Sequence, residues 1–345
     1  MNILAFSNRT GSKHWRLQAV ANYINNNTEH AMYVSDEWDE FWGDDLKPDI
    51  VVGQMWRNPK GVDYVHSRNI PFVYEADDSV VGVADGREKL MKLTEKQEKQ
   101  SIDTYKKADA ITVTTPYLAE HYKKYNHNVK ILPNYLDFMW WGQPWKAQNR
   151  GQIRVGWMGS TSHHEDLIWI APIIKELVKQ HNIKFVYCGY GGKRGIYGKE
   201  LFGDIPANNR EYVGGVPLEY WPQKSKSLGL DIGIAPLIDD EFNSHKSPIK
   251  YFEYSANGVP GVYADNVVYR DTVKHGTTGF LAKTQDEWIK YLSELITNTE
   301  LRAKMTINAY ADVLDNYSLS DHYKKWLDVY QEVINERASR STSTT

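Results

Sequence analysis

Ile153-Arg154-Val155-Gly156-Trp157-Met158-Gly159-Ser160-Thr161-Ser162-His163-His164-Glu165-Asp166-Leu167 changes character twice. A short apolar, β-branched run gives way to small polar residues with glycines. A stretch then follows in which Ile170, Ile173, Ile174 and Leu177 recur at helical spacing. Strand, glycine loop and helix in that order make one βα unit, and the pattern repeats outward. Downstream, strands are expected near Phe185–Cys188, Asp231–Ala235, Val259–Tyr263 and Gly279–Leu281. Upstream, Ile3–Phe6 reads as a first strand, and Leu17, Val20, Ala21 and Ile24 mark one face of the helix after it. Ile50–Val52, Phe72–Tyr74, Ala110–Val113 and Val129–Leu132 read as further strands. Regularity lapses at Pro133-Asn134 into Trp- and Gln-rich sequence as far as Gly151, which reads as an interdomain linker. A last helix carries Leu319, Tyr323, Trp326, Leu327 and Tyr330 on one face. The fold class is therefore α/β, with two Rossmann-like halves in succession. In such sheets ligands bind at the carboxyl ends of the strands, so the substrate is expected in a cleft between two facing sheets.

The 345 residues are 41% hydrophobic, 25% charged and 13% aromatic. That length suits two domains and needs no disulfide or metal staple. With 41 basic and 44 acidic side chains the net charge is −3. This excludes a generally basic nucleic-acid binder while leaving room for a local basic groove. Cys188 is the single cysteine, so an internal disulfide framework and a multi-cysteine zinc site are excluded. Disorder, collagen and coiled coil do not fit this composition. The apolar run Met1–Phe6 is too short for a signal-peptide core and has no basic segment before it. No stretch approaches the ~20 apolar residues that span a bilayer. A soluble, cytoplasmic protein is expected, with a flexible tail over 337–345.

Three clusters have the residue types for chemistry. In His245-Lys246-Ser247-Pro248-Ile249-Lys250-Tyr251-Phe252-Glu253, Ser247 and Pro248 read as N-cap and first helical residue. Ile249, Phe252 and Ala256 form an apolar face, and Gly258-Val259-Pro260 stops the helix. A helix N-terminus flanked by His245, Lys246 and Lys250 suits a diphosphate. Glu253, three residues beyond Lys250, is placed to accept hydrogen bonds from ribose hydroxyls. An ordinary capped surface helix with solvated lysines competes with that reading. In Gly156–Asp166 the glycines let backbone amides approach an anion and the hydroxyls add donors. This is neither GxGxxG nor a Walker loop, which counts against NAD and ATP. Adjacent His163 and His164 point in different directions on any regular element and lack a ligand triplet, so no metal is expected. Simple helix capping accounts for them as well. The third cluster, Glu75-Ala76-Asp77-Asp78-Ser79, ends a predicted strand. Acid–base work, acceptor-hydroxyl binding and a plain helix cap are all open there. Asp239-Asp240-Glu241 reads as a solvated acidic loop. Phe138, Trp140, Trp141 and Trp145 are either a stacking platform for a sugar or base, or packing for a hinge.

Together these residues resemble the retaining family 4 glycosyltransferases of the GT-B fold, as bacterial or phage-type members carry it. Glu253-Tyr254-Ser255-Ala256-Asn257-Gly258-Val259-Pro260 is similar to that family's E-x-M-A-x-G-x-P stretch, and Pro133-Asn134-Tyr135-Leu136-Asp137 to its P-N-G-V-D segment. Asp231–Pro236 is similar to the strand before the donor helix, and Gly159-Ser160-Thr161-Ser162-His163 with Asp166-Leu167 to a G-S-x-[ST]-H-x-x-D-L variant. The resemblance covers most of the chain from Asp109 onward and is weak before Phe72. Two departures stand out. His245 occupies the place of the first Glu in the family's E-x7-E pair, and Asp77 falls near a histidine that many members carry beside the reacting centre.

The resemblance implies an acceptor domain over 1–145, with the helix 318–336 packing back on it, and a nucleotide-sugar donor domain over 150–317. Glu253 would hold the ribose, and Lys250 with Gly159, Ser160 and His163 would face the diphosphate. Lys246 and Ser247 would join the donor site, and Gly214 would lie near the base. Asp77, His245 and Lys250 would be catalytic, while Asp78, Asn8 and Arg9 would sit on the acceptor side. The implied reaction moves a sugar from a nucleoside diphosphate to an acceptor hydroxyl with retention and without metal or other cofactor. The implied acceptor is a cell-envelope glycan or a lipid-linked sugar, which allows peripheral membrane association. A hydroxymethylated pyrimidine in phage DNA, with the enzyme then in the host cytoplasm, is the alternative acceptor. Lys106-Lys107 and Lys123-Lys124 permit DNA while the net charge gives it no support. From other classes, a nucleotide-sugar epimerase, a non-catalytic nucleotide-sugar binding protein and a two-lobed solute-binding protein share the architecture.

Overall fold

The structure, a computed structural model, describes residues 1–9, 11–38, 46–79, 81, 93–144, 151–189 and 200–342. Trp145 and the linker residues 145–150 lie outside them. The chain divides into two compact units. The first holds Met1–Asp137, Ser244–Ser247 and Leu319–Thr345, and the second Phe138–Asn243 and Pro248–Ser318.

In the first unit, β1 (Asn2–Phe6), β2 (Ala31–Ser35), β3 (Ile50–Gln54), β4 (Phe72–Ala76), β5 (Ala110–Val113) and β6 (Val129–Ile131) form a parallel sheet of order β2-β1-β3-β4-β5-β6. In the second, β7 (Ile153–Met158), β8 (Ile183–Cys188), β9 (Arg210–Val213), β10 (Ile232–Ala235), β11 (Gly261–Ala264) and β12 (Phe280–Ala282) form a parallel sheet of order β12-β11-β10-β7-β8-β9. Both are α/β sheets of the doubly wound kind. Their inner strands are buried along almost their whole length, because helices cover both faces, and this is why they read as apolar runs. The two strands that the sequence pattern does not announce, β2 and β9, are edges or near-edges of low burial, with Tyr33 and Tyr212 exposed. An edge strand needs no continuous apolar run.

The first helix begins as a π turn at His14–Gln18 and continues as Ala19–Asn27, burying Leu17, Val20, Ala21 and Ile24 on one face as their spacing predicts. The π turn carries Arg16 into the interior, where it is fully buried. Its Nε donates to Glu75 Oε1 at 2.8 Å, and Nη1 donates to the Leu132 carbonyl at 2.7 Å and to Asn134 Oδ1 at 3.1 Å. Thr112 Oγ1 donates to the other Glu75 oxygen at 2.7 Å. Glu75 is therefore a structural carboxylate inside β4 and is absent from any open strand end, unlike its neighbours Asp77 and Asp78.

The C-terminal helices Leu319–His322 and Lys324–Thr342 belong to the first unit. Leu319 N–H donates to the Leu136 carbonyl at 2.8 Å, and Trp326, Tyr330 and Val333 are fully buried. The Arg16 guanidinium lies 5.3 Å from the Trp326 ring centroid. The tail expected to be flexible from 337 is helical to Thr342, and Arg337 Nη1 donates to Asp109 at 2.8 Å. Arg337, inside the segment expected to be flexible, is here a tether. Among the described residues no helix is long and apolar enough to cross a membrane.

Removing one partner of a buried ion pair leaves the other uncompensated, which costs about 3–5 kcal/mol, whereas an apolar pair of similar volume is often neutral. Glu75→Leu alone is expected to lower the stability of the first unit by that order in urea denaturation. The Arg16→Met, Glu75→Leu double variant is expected to recover most of the loss.

Candidate functional site

Three strands of the second sheet end in register: Met158 pairs with Cys188, and Cys188 with Val213. The next residues, Gly159, Gly189 and Gly214, therefore lie side by side on the carboxyl edge. Side chains are excluded at the first two. A Cβ on Gly159 would come within 2.5 Å of the Trp157 ring, and Gly189 has φ +81° with the Gly159 carbonyl 2.8 Å from where its Cβ would be. Among the described residues no atom lies within 4 Å of where a Gly214 Cβ would be. A bare backbone edge of this kind admits close approach of an anion.

After Gly159 the chain makes a 3₁₀ turn over Thr161–His163 and enters the helix His164–Gln180, with Ser160 Oγ and Ser162 Oγ 2.9 Å apart. His163 Nδ1 lies 2.7 Å from Asp166 Oδ2 and Nε2 lies 3.0 Å from Lys250 Nζ. Lys250 as an ammonium donates to Nε2, so the ring proton sits on Nδ1 and is donated to Asp166. With both nitrogens engaged, the adjacent-histidine metal reading has no support at His163. Asp166 is fully buried, and its other oxygen accepts from Ile238 N at 2.9 Å and Asn243 Nδ2 at 3.0 Å.

Lys250 opens the helix Ile249–Ala256, with Nζ 5.8 Å from the Trp157 ring centroid. Burial holds its pKa below the usual lysine range, with Glu253 and Asp166 pulling it back up. Glu253, one turn further on, is 8% exposed and accepts from Trp221 Nε1 at 2.8 Å. Burial pushes its pKa up to about 6, against the pull of Lys250 and the Trp221 hydrogen bond. Ser247 does not cap this helix. Pro248 holds the N-cap position, no side chain caps the first amides, and Ser247 Oγ instead accepts from Asn134 Nδ2 at 2.7 Å. The helix N-terminus is thus left with open N–H donors.

His245, Lys246 and Ser247 fall in the first unit, so the basic cluster read from sequence is divided. The His245 ring is 1% exposed and packs 4.6 Å from the His121 ring and 5.6 Å from that of Tyr117. Burial, and then Lys124, pull its pKa down to about 4, so it is neutral at physiological pH. His121 Nε2 lies 2.8 Å from Ser79 Oγ. Asp78 accepts from the Ser79 N–H at 2.8 Å. Burial raises its pKa to about 7, against Lys246 and with Asp77 adding to the rise. Asp77 accepts from Gln54 Nε2 at 3.2 Å, and Gln54 also reaches Ser12 Oγ at 3.1 Å. Asn8 and Arg9 are exposed after β1 and, with Trp38, Trp56 and Arg57, line a cavity of about 720 Å³. Met55 turns the chain into this cavity with φ +51°, a strained conformation for a non-glycine residue.

The structure therefore gathers Gly159, Ser160, His163, Lys250 and Glu253 in the second unit, with Gly214 at the same sheet edge. Asp77, Asp78, His245 and Lys246 gather in the first. Sequence reasoning gave no role to Asp166, Trp221, Gln54 and His121. Only Asp166 had a usable signal, its spacing of three from His163 at a helix start. Phe138, Trp140 and Trp141 pack within the second unit, where the Trp141 carbonyl accepts from Lys226 Nζ and Trp140 Nε1 donates to the Glu219 carbonyl at 3.4 Å. That favours packing over stacking on a ligand. Asp240, in the acidic loop, caps the Glu241–Ser244 turn by accepting from Asn243 N at 2.7 Å.

Residues 152–312 match the family model described as "Glycosyl transferases group 1". No curated protein matches the chain. Among solved structures it is similar to sucrose-phosphate synthase from Thermosynechococcus elongatus (TM-score 0.74, 9% identity, covering 97% of this chain and 100% of that one). It is similar to HepE of Anabaena in complex with UDP and glucose (TM-score 0.66, 14% identity, 98% and 100%). It also resembles TarM (TM-score 0.64, 16% identity), where the match covers 84% of this chain and spans only 57% of TarM. The family match thus covers residues 152–312, all but Ser244–Ser247 of them in the second unit, and the two doubly wound sheets give the chain the GT-B fold of its glycosyltransferase neighbours.

Proposed function

We propose that the second unit binds a nucleoside-diphosphate sugar and that the sugar is transferred, with retention of anomeric configuration, to a hydroxyl of a glycan or lipid-linked sugar presented by the first. The observation that carries this reading is the convergence on one sheet edge of bare glycine backbone, an uncapped helix N-terminus, Lys250 and buried Glu253. In its support, HepE and S. aureus TarM have both been solved with UDP, so a UDP-sugar is the first donor to test.

In this account residues 150–317 are the donor domain and residues 1–145 with helix 318–336 the acceptor domain. The Ser160 amide and the start of the Ile249–Ala256 helix bind the diphosphate, which Lys250 and Lys246 stabilise as it departs. His163, fixed by Asp166, holds Lys250 in place. Glu253 accepts from the ribose hydroxyls, and Gly214 leaves room for the base. Asp77 and Asp78, with Asn8 and Arg9, orient the acceptor hydroxyl, and buried His245 keeps Asp78 and its surroundings in place. A site built from lysine and amide dipoles supplies the positive charge itself, so turnover is expected without a divalent metal. The reaction is placed in the cytoplasm, where nucleotide sugars are made.

A thermal-shift panel of UDP-, GDP-, ADP- and dTDP-sugars, with and without magnesium, tests the reading, because a ligand that binds the native state raises its melting temperature. One donor class is expected to stabilise the protein equally in both conditions, and no stabilisation by any donor would overturn the assignment. Glu253→Ala is expected to weaken donor binding by about tenfold or more, the loss of a hydrogen bond to a charged group. Lys250→Ala should lower kcat/KM by about 10²–10³-fold, as removal of a transition-state donor does.

The pH dependence follows from Glu253. Its carboxylate is the stronger acceptor when ionised, and it takes up a proton as pH falls through about 6. UDP-glucose affinity by titration calorimetry is expected to be flat above neutrality and to fall below that value. The diphosphate of UDP-glucose stays ionised throughout this range, so the fall should disappear in Glu253→Gln.

A further inference from the structure

A second concave site lies on the other half of the same sheet edge. β10, β11 and β12 end beside one another, and the segments that follow them enclose a cavity of about 300 Å³. Trp169, from the helix His164–Gln180, and Trp288, from the helix Gln285–Thr297, form its walls. Trp288 is 1% exposed, whereas Trp169 is half-buried and keeps open indole surface. The two rings meet edge to face at 6.1 Å and 72°, so neither covers the other's face. The charged groups are Asp239 and Lys283, both exposed, and Asp265, already paired with Arg270 at 2.8 Å. Asn266 fixes the floor by donating to the Leu237 carbonyl at 3.2 Å and accepting from Val268 N at 3.1 Å.

We propose that this cavity binds one uncharged pyranose ring, at a site distinct from the donor site, and that its occupancy is felt at Lys250. The volume accommodates a single sugar ring and is too small for a nucleotide. An indole face suits the C–H face of a pyranose, and carboxylate oxygens at the rim suit its hydroxyls. The compensated charge of Asp265 disfavours a strongly cationic ligand. The route to Lys250 is a continuous line of hydrogen bonds. Ile238, which lines the cavity, donates its N–H to Asp166, Asp166 accepts from His163, and His163 meets Lys250. Trp169 and Asp166 sit three residues apart on one helix, so a ring stacked on Trp169 presses on the element that holds this line. Binding at the cavity is independent of the proposed donor function. The coupling rests on it.

The experiment titrates the full-length protein with methyl α-D-glucopyranoside and methyl α-D-galactopyranoside, read by tryptophan fluorescence and saturation-transfer NMR, and then measures UDP affinity with and without saturating glycoside. Saturable binding of one glycoside is expected, retained in Glu253→Ala and weakened by about tenfold in Trp169→Ala, the scale of one lost aromatic contact. Asp239→Asn, at an exposed position that leaves folding intact, is expected to weaken binding as well. UDP affinity is expected to change by at least about threefold when the glycoside is bound, and the change should vanish in Trp169→Ala. Absence of saturable binding by either glycoside overturns the site, as does binding that survives both Trp169→Ala and Asp239→Asn. An unchanged UDP affinity overturns the coupling. Failure of UDP to bind at all, with glycoside binding intact, counts against the donor reading and the coupling and leaves the sugar site standing.

Discussion

The first unit is organised around one buried charge. Arg16 and Glu75 have no exposed side-chain surface, and two ions taken out of water are costly unless they are paired and hydrogen-bonded, a need met here at every side-chain polar atom except Arg16 Nη2. Meeting that requirement ties together elements far apart in the chain. Glu75 is shared with Thr112 of β5, Arg16 with the Leu132 carbonyl and Asn134, and the guanidinium packs against Trp326. Asn134 passes the constraint on, since its amide nitrogen holds Ser247. The segment carrying His245 and Lys246 is thus anchored to the core of the first unit by a side-chain relay that begins at the first helix. The Pro133-Asn134 motif, which in sequence marks only the end of a domain, is the middle of that relay.

The second unit solves a parallel problem with function as the outcome. Lys250 and Glu253 are both held where water is scarce, and burial displaces each toward its neutral form. Their mutual attraction opposes this, as do Asp166 for the lysine and the Trp221 hydrogen bond for the glutamate. The result is a cation and an anion close together but separately held, the arrangement needed to grip a diphosphate and a ribose of the same ligand. His163, between Lys250 and Asp166, transmits orientation from the buried carboxylate to the lysine that meets an incoming diphosphate.

Most of this architecture was legible in the sequence because parallel strands covered on both faces must be apolar throughout, and ten of the twelve strands among the described residues read as short apolar runs. β2 and β9 did not, since a partly exposed strand can be built from Ala31-Met32-Tyr33-Val34-Ser35 or Arg210-Glu211-Tyr212-Val213 without any apolar run. The glycines and the Lys250/Glu253 spacing were legible for a local reason, because backbone exposure and helical repetition are encoded within a few residues. Ser247 misled because Ser-Pro fits an N-cap by local rules, while the deciding interaction comes from Asn134, 113 residues away. Glu75 misled in the same manner. Its place beside Asp77 and Asp78 suggested an open strand end, and only Arg16, 59 residues earlier, shows that it is core. What the sequence withholds is long-range pairing of polar groups.

The central claim is that the carboxyl edge at Gly159 and the start of the Ile249–Ala256 helix hold a nucleoside diphosphate. Amide hydrogen exchange followed by mass spectrometry, with and without UDP, tests it without any assumption about the acceptor. The account predicts slowed exchange in the peptides covering Gly159–His163 and Ile249–Glu253. Protection confined to other segments, or no change in either peptide at a UDP concentration that saturates binding, would contradict it.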